Sequence, residues 1–273
     1  MKLGIAIPFD ANDVDDRTIL NRGVDLARNA EVLGFSGVWA GDSLGRGRPT
    51  LDPLQFLGTL AAVTERIELG TGVVQVPLRE PVDLAHRAQT LNVLSCGRFR
   101  FGIGTGSTRT DFEVMNADFD QRFDTFPQLV DRMKQAWRGE AVYAKPSIAW
   151  PGRESGPPLI LGSWHSDRWI NYAAKECQGW IASGLHGSLD GLKHGIELFR
   201  KAGGKRAIIT NVPVDIRPEP DLTLGASANI KLICPPAEAR TRLKQFADMG
   251  FDDVMVMPYH RSKEHLKAIR DLL

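Results

Sequence analysis

The chain has 273 residues, with 34 Lys and Arg against 33 Asp and Glu, and a net charge of +1. Apolar residues make up 42% and charged residues 25%, a globular mixture that leaves no compositional case for disorder. The charge balance excludes an electrostatic footprint for nucleic acid or an anionic membrane, and no apolar run approaches the roughly 18 residues needed to span a bilayer. A length of this order suits one large domain, residues 1–273, with ample chain to bury a core.

The opening MKLGIAIPFD holds a short apolar run that passes straight into a polar segment, with no small-residue cleavage site. It reads as a first strand ended by Pro8 rather than a signal peptide. A helix follows over about 17–33, where Ile19, Leu20, Val24, Ala27, Ala30 and Val32 recur at helical spacing and Gly34 supplies the stop. The spacing then predicts strands over 36–42, 66–76 and 98–104, and helices over 52–64, 81–94 and 123–137. Asp52 before Pro53 is the expected N-cap of the second helix. The second half repeats the rhythm: strands at 158–162, 179–183, 206–216 and 252–258, with helices at about 167–176, 189–202 and 235–250 and one more at the end. The seventh of these strands carries a proline interruption, and 105–122, 138–158 and 217–233 are the long loops. Eight strands, each followed by a helix, predict a closed (β/α)8 barrel, a TIM barrel. An open doubly wound sheet is the main competitor, but no G-x-G-x-x-G opens the first helix.

In such a barrel the residues just after each strand line the catalytic mouth. Those positions hold Gly41-Asp42-Ser43, Gly70-Thr71-Gly72-Val73, Gly104-Thr105-Gly106-Ser107-Thr108, Gly162-Ser163-Trp164-His165-Ser166, His186, and Tyr259-His260. Small residues and hydroxyls dominate, and free backbone N–H groups in such loops suit a phosphate-bearing cofactor. Gly-Ser turns also follow barrel strands for purely steric reasons. Metal hydrolysis would need clustered His and carboxylates at strand ends, where only Asp42 stands firmly. Schiff-base chemistry would need a strand-end Lys, and acyl transfer a G-x-S-x-G elbow; neither is present. Cys96, Cys177 and Cys234 form no zinc-type spacing and no disulfide framework, as in a soluble cytoplasmic protein. A bound cofactor with its own reactivity is the economical reading.

The runs GFSGVWAGDS, RIELGTGVVQVPLREP and TLNVLSCGRFRFGIGTGS, in that order, resemble the bacterial luciferase-like superfamily of flavin- and F420-dependent oxidoreductases. Leu91 to Arg98 is similar to its LD-x-LS-x-GR signature, with Asn92 in the usual Asp place. Glu113 through Arg122 is similar to its E…G-x-x-F…R loop, and MGFDDVMVMP to its last strand. The resemblance implies FMN, or alternatively coenzyme F420, bound in the barrel mouth. It implies a bulge in the third strand under the ring, often with a non-prolyl cis peptide, here at Gly72–Val73. It implies contacts to the cofactor chain and phosphate from Thr105, Gly106 and Ser107 and from Gly162, Ser163 and Trp164, with Ser166 and Arg109 nearby. Arg79 and Arg98 match family positions and are read as structural partners of nearby acids.

F420-using relatives usually carry Asp-His at the second strand end, where this chain has Asp42-Ser43. Ser43 cannot titrate near neutral pH as His can, so His186 or His260 would have to act as acid or base. His86 and His194 fall within predicted helices. Trp39 is expected to pack between barrel and helices, Trp164 and Tyr259 to wall the site, and Phe9 to face the mouth. The implied activity is an FMN-dependent monooxygenase that takes reduced flavin from a separate reductase and acts with O2 on a small organic substrate. An F420-dependent reductase or dehydrogenase and a non-catalytic flavin-binding protein are the alternatives. The resemblance also implies a homodimer formed through the early helices.

Overall fold

Local chemistry sets the element boundaries. Asp15 accepts from the Thr18 amide at 3.1 Å and starts the first helix, and Gly34, at φ 80°, ends it in the left-handed region. Asp52 caps the second helix by accepting from the amides of Leu54 and Gln55, both at 3.0 Å, with Pro53 as the first helical residue.

The computed structural model describes residues 1–7, 15–47, 49–164, 166–223 and 225–273. Pro8, Phe9 and His165 lie outside the described residues. In chain order the first half holds β1 (Lys2–Ala6), α1 (Asp16–Leu33), β2 (Gly37–Ala40), α2 (Pro53–Ala61), β3 (Glu68–Thr71), β4 (Val74–Gln75), α3 (Pro81–Leu94), β5 (Phe99–Gly104), α4 (Arg109–Val114) and α5 (Arg122–Trp137). The second half holds β6 (Leu159–Gly162), α6 (Asp167–Glu176), β7 (Gly179–Ser183), α7 (Leu189–Lys201), β8 (Arg206–Asp215), β9 (Leu232–Ile233), α8 (Pro236–Met249), β10 (Asp253–Pro258) and α9 (Lys263–Arg270). Strands β1, β2, β3, β5, β6, β7, β8 and β10 pair in parallel in that order, and β10 pairs with both β8 and β1. That closes an eight-stranded barrel ringed by helices, as the alternation of elements predicts.

Successive residues along the strands face opposite sides. Ala6, Trp39, Ile160, Ile181, Ile208 and Met255 form the inner cluster that fills the barrel. Their neighbours Ile5, Val38, Leu161, Ile209 and Val254 belong to the larger cluster shared with the helices. Trp39 therefore corrects the expectation that it packs outward. Its indole lies inside the barrel beneath Gly70, where an added Cβ would come within 2.4 Å of the ring.

The break that the resemblance implies is present: a cis peptide joins Gly72 and Val73, and β4 continues beyond it along β5. Three other expectations change. The segment 105–122 contains the short helix α4 rather than loop throughout. Pro213 does not interrupt β8; it pairs with Met257 inside a continuous strand. Arg98 is structural, but its partners are mostly carbonyls rather than acids. Its guanidinium donates to the oxygens of Ser95, Ile67, Ala61 and Thr64 and to the Thr64 hydroxyl, at 2.9–3.0 Å, closing the C-terminal end of α2.

Charge is concentrated at the bottom of the barrel. Arg206 at the start of β8 donates to Asp253 at 2.8 Å and to both oxygens of Glu68 at 2.9 Å, and Arg100 joins Glu68 at 2.9 Å. Burial alone would lower the Arg206 pKa, but the two carboxylates outweigh it and hold the guanidinium charged. Asp253 is 2% exposed, so removing its partner strands a buried carboxylate. Arg206→Ala is expected to lower unfolding free energy by about 3 kcal/mol, read as a shifted midpoint in urea denaturation with the m-value unchanged.

Candidate functional site

The mouth is built from the C-terminal strand ends, and its floor follows from where glycines stand. Gly72 and Val73 leave the line of β3, and both are half-buried. A Cβ on Gly104, at the end of β5, would lie 2.7 Å from Val73 Cγ2, and one on Gly162, at the end of β6, 2.8 Å from Val73 Cγ1. The Val73 side chain thus occupies room that two neighbouring strands leave by having no side chains. Val73 and Met257 cap the inner cluster around Trp39. The result is an apolar floor edged by hydroxyls and backbone.

Around that floor the charged side chains are consumed in pairs. Asp42, after β2, is held by Arg79 through two hydrogen bonds at 2.7 and 2.8 Å, and it also accepts from the Gln75 amide at 3.0 Å. Next to it, the Ser43 hydroxyl is buried with no hydrogen-bond partner among the described residues. Asp111, on α4, is fully buried and ties three segments together. It accepts from the amides of Leu44 at 3.1 Å and Gly45 at 2.7 Å, from Arg46 at 2.8 and 3.0 Å, and from the Gln75 carboxamide at 2.9 Å. Burial would push the Asp111 carboxyl up, but these donors hold it below the usual carboxylate range.

The loop after β5 is pinned from the other side. Gly106 takes φ +81°, and a Cβ there would press on the Phe112 ring at 2.6 Å and the Gln75 carboxamide oxygen at 2.9 Å. Arg122 donates to the carbonyls of Gly106 and Phe119 at 3.2 and 2.7 Å and sits over the Phe119 ring at 3.6 Å. Thr105 is half-buried and Ser107 exposed on this loop. Arg109 is paired with Asp120 at 2.8 Å at the surface.

After β6, Ser163 is 6% exposed, and its carbonyl accepts from Trp180 Nε1 at 2.8 Å. Trp164 stacks on His186, with ring centroids 4.1 Å apart and planes tilted by 32°, which joins the ends of β6 and β7. His260 stands apart from that pair. Its Nε2 is 4.0 Å from Asp215, whose other oxygen is 4.0 Å from His265 Nε2. Burial lowers the His265 pKa, partly offset by the Asp215 charge. The structure therefore brings together Asp42, Ser43, Gly72, Val73 and the glycine loops around the floor, places Trp164 with His186, and sets His260 with Asp215 and His265 beside α9.

Three site-building residues escape sequence reasoning: Gln75, Asp111 and Arg46. Asp111 lies on a helix that has only six residues and no caps to announce it, and its partners are 36 to 67 positions away in the chain. Arg122 was legible as the end of a motif, and Phe119 and Phe123 beside it are the signal for its cation–π seat. Among the described residues no group of three or more His, Cys, Asp or Glu side chains is placed to hold a metal ion. A surface groove of about 640 Å³ between α7 and α8 contains no strand-end residue. No helix, among the described residues, is long and apolar enough to cross a membrane.

The luciferase-like monooxygenase family profile matches residues 1–272. An uncharacterised protein of Mycobacterium tuberculosis (strain ATCC 25618 / H37Rv) is 28% identical over 180 residues, which cover 63% of this chain and 64% of that protein, just under two thirds of its length. Among solved structures, monooxygenase RslO1 from Streptomyces bottropensis superposes with a TM-score of 0.85 at 19% identity, covering 100% of this chain and 98% of that one. The oxygenating constituent of 3,6-diketocamphane monooxygenase of Pseudomonas putida, in complex with FMN, gives 0.79 at 13% identity, covering 99% and 97%. An F420-dependent secondary alcohol dehydrogenase, in complex with an F420-acetone adduct, gives 0.77 at 15% identity, covering 100% and 98%. These likenesses establish the barrel fold.

The Asp111 latch carries a pH signature. An unfolded Asp titrates near 3.9; because the folded carboxyl sits lower, its stabilisation is present above that value and is lost as pH falls through the folded pKa. Asp111→Asn is expected to cost about 2 kcal/mol at pH 7. The stability gap to the parent chain, measured by urea denaturation, should narrow steadily below about pH 4.

Proposed function

Because the chain belongs to the luciferase-like monooxygenase family, we propose that it is a flavin-dependent oxidoreductase, and within that class an FMN-dependent monooxygenase acting with O2 on a small organic substrate. The mouth fits such a group. Val73 and Met257 offer an apolar bed, Gly72, Gly104 and Gly162 leave room for it, and the buried hydroxyls of Ser43 and Thr210 have no hydrogen-bond partner among the described residues. That is the pattern of a ligand site: mostly apolar, with a few placed polar groups. Ser163, Ser166 and the backbone amides starting α6 would hold the phosphate, since no described side chain caps that helix and Asp167 in its first turn is engaged by His194 at 2.8 Å. Thr105, Gly106 and Ser107 would flank the connecting chain.

When bound, reduced flavin supplies the electrons and the site of oxygen chemistry. The protein's part is to seat the ring, to keep water off the apolar floor, and to fix the charges that surround it. Reduced flavin would be delivered by a separate reductase, and the chain would work as a homodimer.

The single observation that carries FMN over F420 is the end of β2. Asp42 is bound at both oxygens by Arg79, and Ser43 holds no proton that titrates near neutrality. This corner is built to be electrostatically fixed, not to relay protons beside a hydride acceptor. His186, exposed at the end of β7 and stacked on Trp164, is the group placed to exchange a proton if one is needed.

Paired fluorescence titrations of the apo protein with FMN and with F420, oxidised and reduced, test the reading. Selective FMN binding, strongest when reduced, is the expected result; selective F420 binding would replace it with hydride transfer, and binding without oxygen uptake on any aldehyde or ketone would leave a flavin carrier. Gly72→Val should weaken cofactor binding by crowding the floor beside Thr210, where an added Cβ already meets the hydroxyl at 3.5 Å. His186→Ala and His260→Ala should both retain cofactor binding, with turnover lost in at most the first; full turnover in both removes these two histidines from the chemistry.

A further inference from the structure

The opposite wall of the barrel carries a second irregularity. In β8, Ile209 pairs with Val254 and Val212 pairs with Val256, so two residues, Thr210 and Asn211, stand against the single residue Met255. This is a β-bulge, a device that re-aims a side chain and recurs at barrel rims. Ile209 and Val212 both belong to the outer, helix-facing cluster, and Met255 belongs to the inner one. Strict alternation would allow one inward residue between two outward ones. The bulge places two residues there, Thr210 and Asn211.

Asn211 is a non-glycine residue in the left-handed region, at φ 57°. Asn tolerates that conformation better than most residues, though Gly would adopt it without cost. Thr210 is 3% exposed and Asn211 is half-buried, as a residue at a mouth would be. The Asn211 carboxamide makes no hydrogen bond to the described residues. The Thr210 hydroxyl lies 3.5 Å from where a Cβ on Gly72 would stand, so the β8 bulge meets the Gly72–Val73 break across the barrel. The two interruptions are four strands apart in a ring of eight, on facing walls.

We infer that Asn211 is a cofactor-facing residue whose carboxamide hydrogen-bonds the pyrimidine edge of a flavin or deazaflavin ring lying on Val73. The inference rests on the function proposed above. That edge carries alternating carbonyl and N–H groups and is common to FMN and F420. A carboxamide presents a donor and an acceptor side by side and can match such a pair. The floor itself is apolar and gives no direction within its plane; a polar group from the facing wall does.

The test separates the side chain from the backbone it sits on. Asn211→Gly removes the amide while suiting the left-handed conformation, so its melting temperature should be equal or higher. Its affinity for FMN or F420, read by fluorescence titration, should fall about tenfold, the loss of one or two neutral hydrogen bonds. Asn211→Asp, which also tolerates this backbone, should weaken binding of the same probe by a similar factor because it replaces the donor with a carboxylate oxygen. Unchanged affinity in both variants overturns the inference and leaves Asn211 as a backbone residue only. A parent chain that binds neither cofactor overturns the reading of the mouth, and this inference with it.

Discussion

The mouth of this barrel depends on one steric constraint: Val73 lies where the ends of β5 and β6 have no side chains. Any residue larger than glycine at 104 or 162 would bring its Cβ within 3 Å of the Val73 methyls. The chain must therefore leave β3 at Gly72, cross toward those strand ends, and rejoin the sheet as β4 alongside β5. Trp39 supports the crossing from below, and Gly70 is small because the indole passes under it. Four glycines and two large side chains thus form one packing unit. A substitution in any of them moves the floor, not just its own neighbourhood.

A second constraint is electrostatic. Asp42, Asp111 and Asp215 are all buried, and each is gripped by an arginine: Arg79, Arg46 and Arg217. Each arginine is 15–38% exposed, so its far side is hydrated while the carboxylate is dry. Such pairs gain little net stability from Coulomb attraction but become costly to break. Their effect here is mechanical. They fasten the loop after β2 to α4 and to β4, and they take up charge that would otherwise face the floor. An apolar site rimmed by neutral hydroxyls is what remains, which leaves His186 as the titratable side chain described at the ends of β6 and β7.

The barrel was legible because its signals are local. Strand and helix periodicity, the caps at Asp52 and Gly34, and the order of eight units are each written within a few residues of where they act. The position of the Gly72–Val73 break was legible only through resemblance, since a Gly-Val pair in an apolar run looks like ordinary strand. Trp39 was misjudged because an indole at a strand centre fits either face, and alternation with Val38 fixes the pairing but not which side is inside. Asp111 and Gln75 were invisible because a buried polar hub is defined by partners far away in sequence. Asn211 was hidden differently: Asn is uncommon within strands, but only the register against β10 shows that one residue is extra.

The two irregularities in the sheet then belong to one design. A barrel of eight straight strands would be packed to its rim by alternating side chains, with no level surface on which a planar ring could lie. Breaking β3 lays a single valine across two glycine ends and makes that surface. Bulging β8 on the facing wall brings Thr210 up to Gly72 and adds a polar residue where the pattern allows only one inward side chain. The first device sets the plane a ligand rests on, and the second supplies orientation within it. Neither needs a charged group, which is consistent with a mouth whose described buried acids, Asp42, Asp111 and Asp215, are each bound to an arginine.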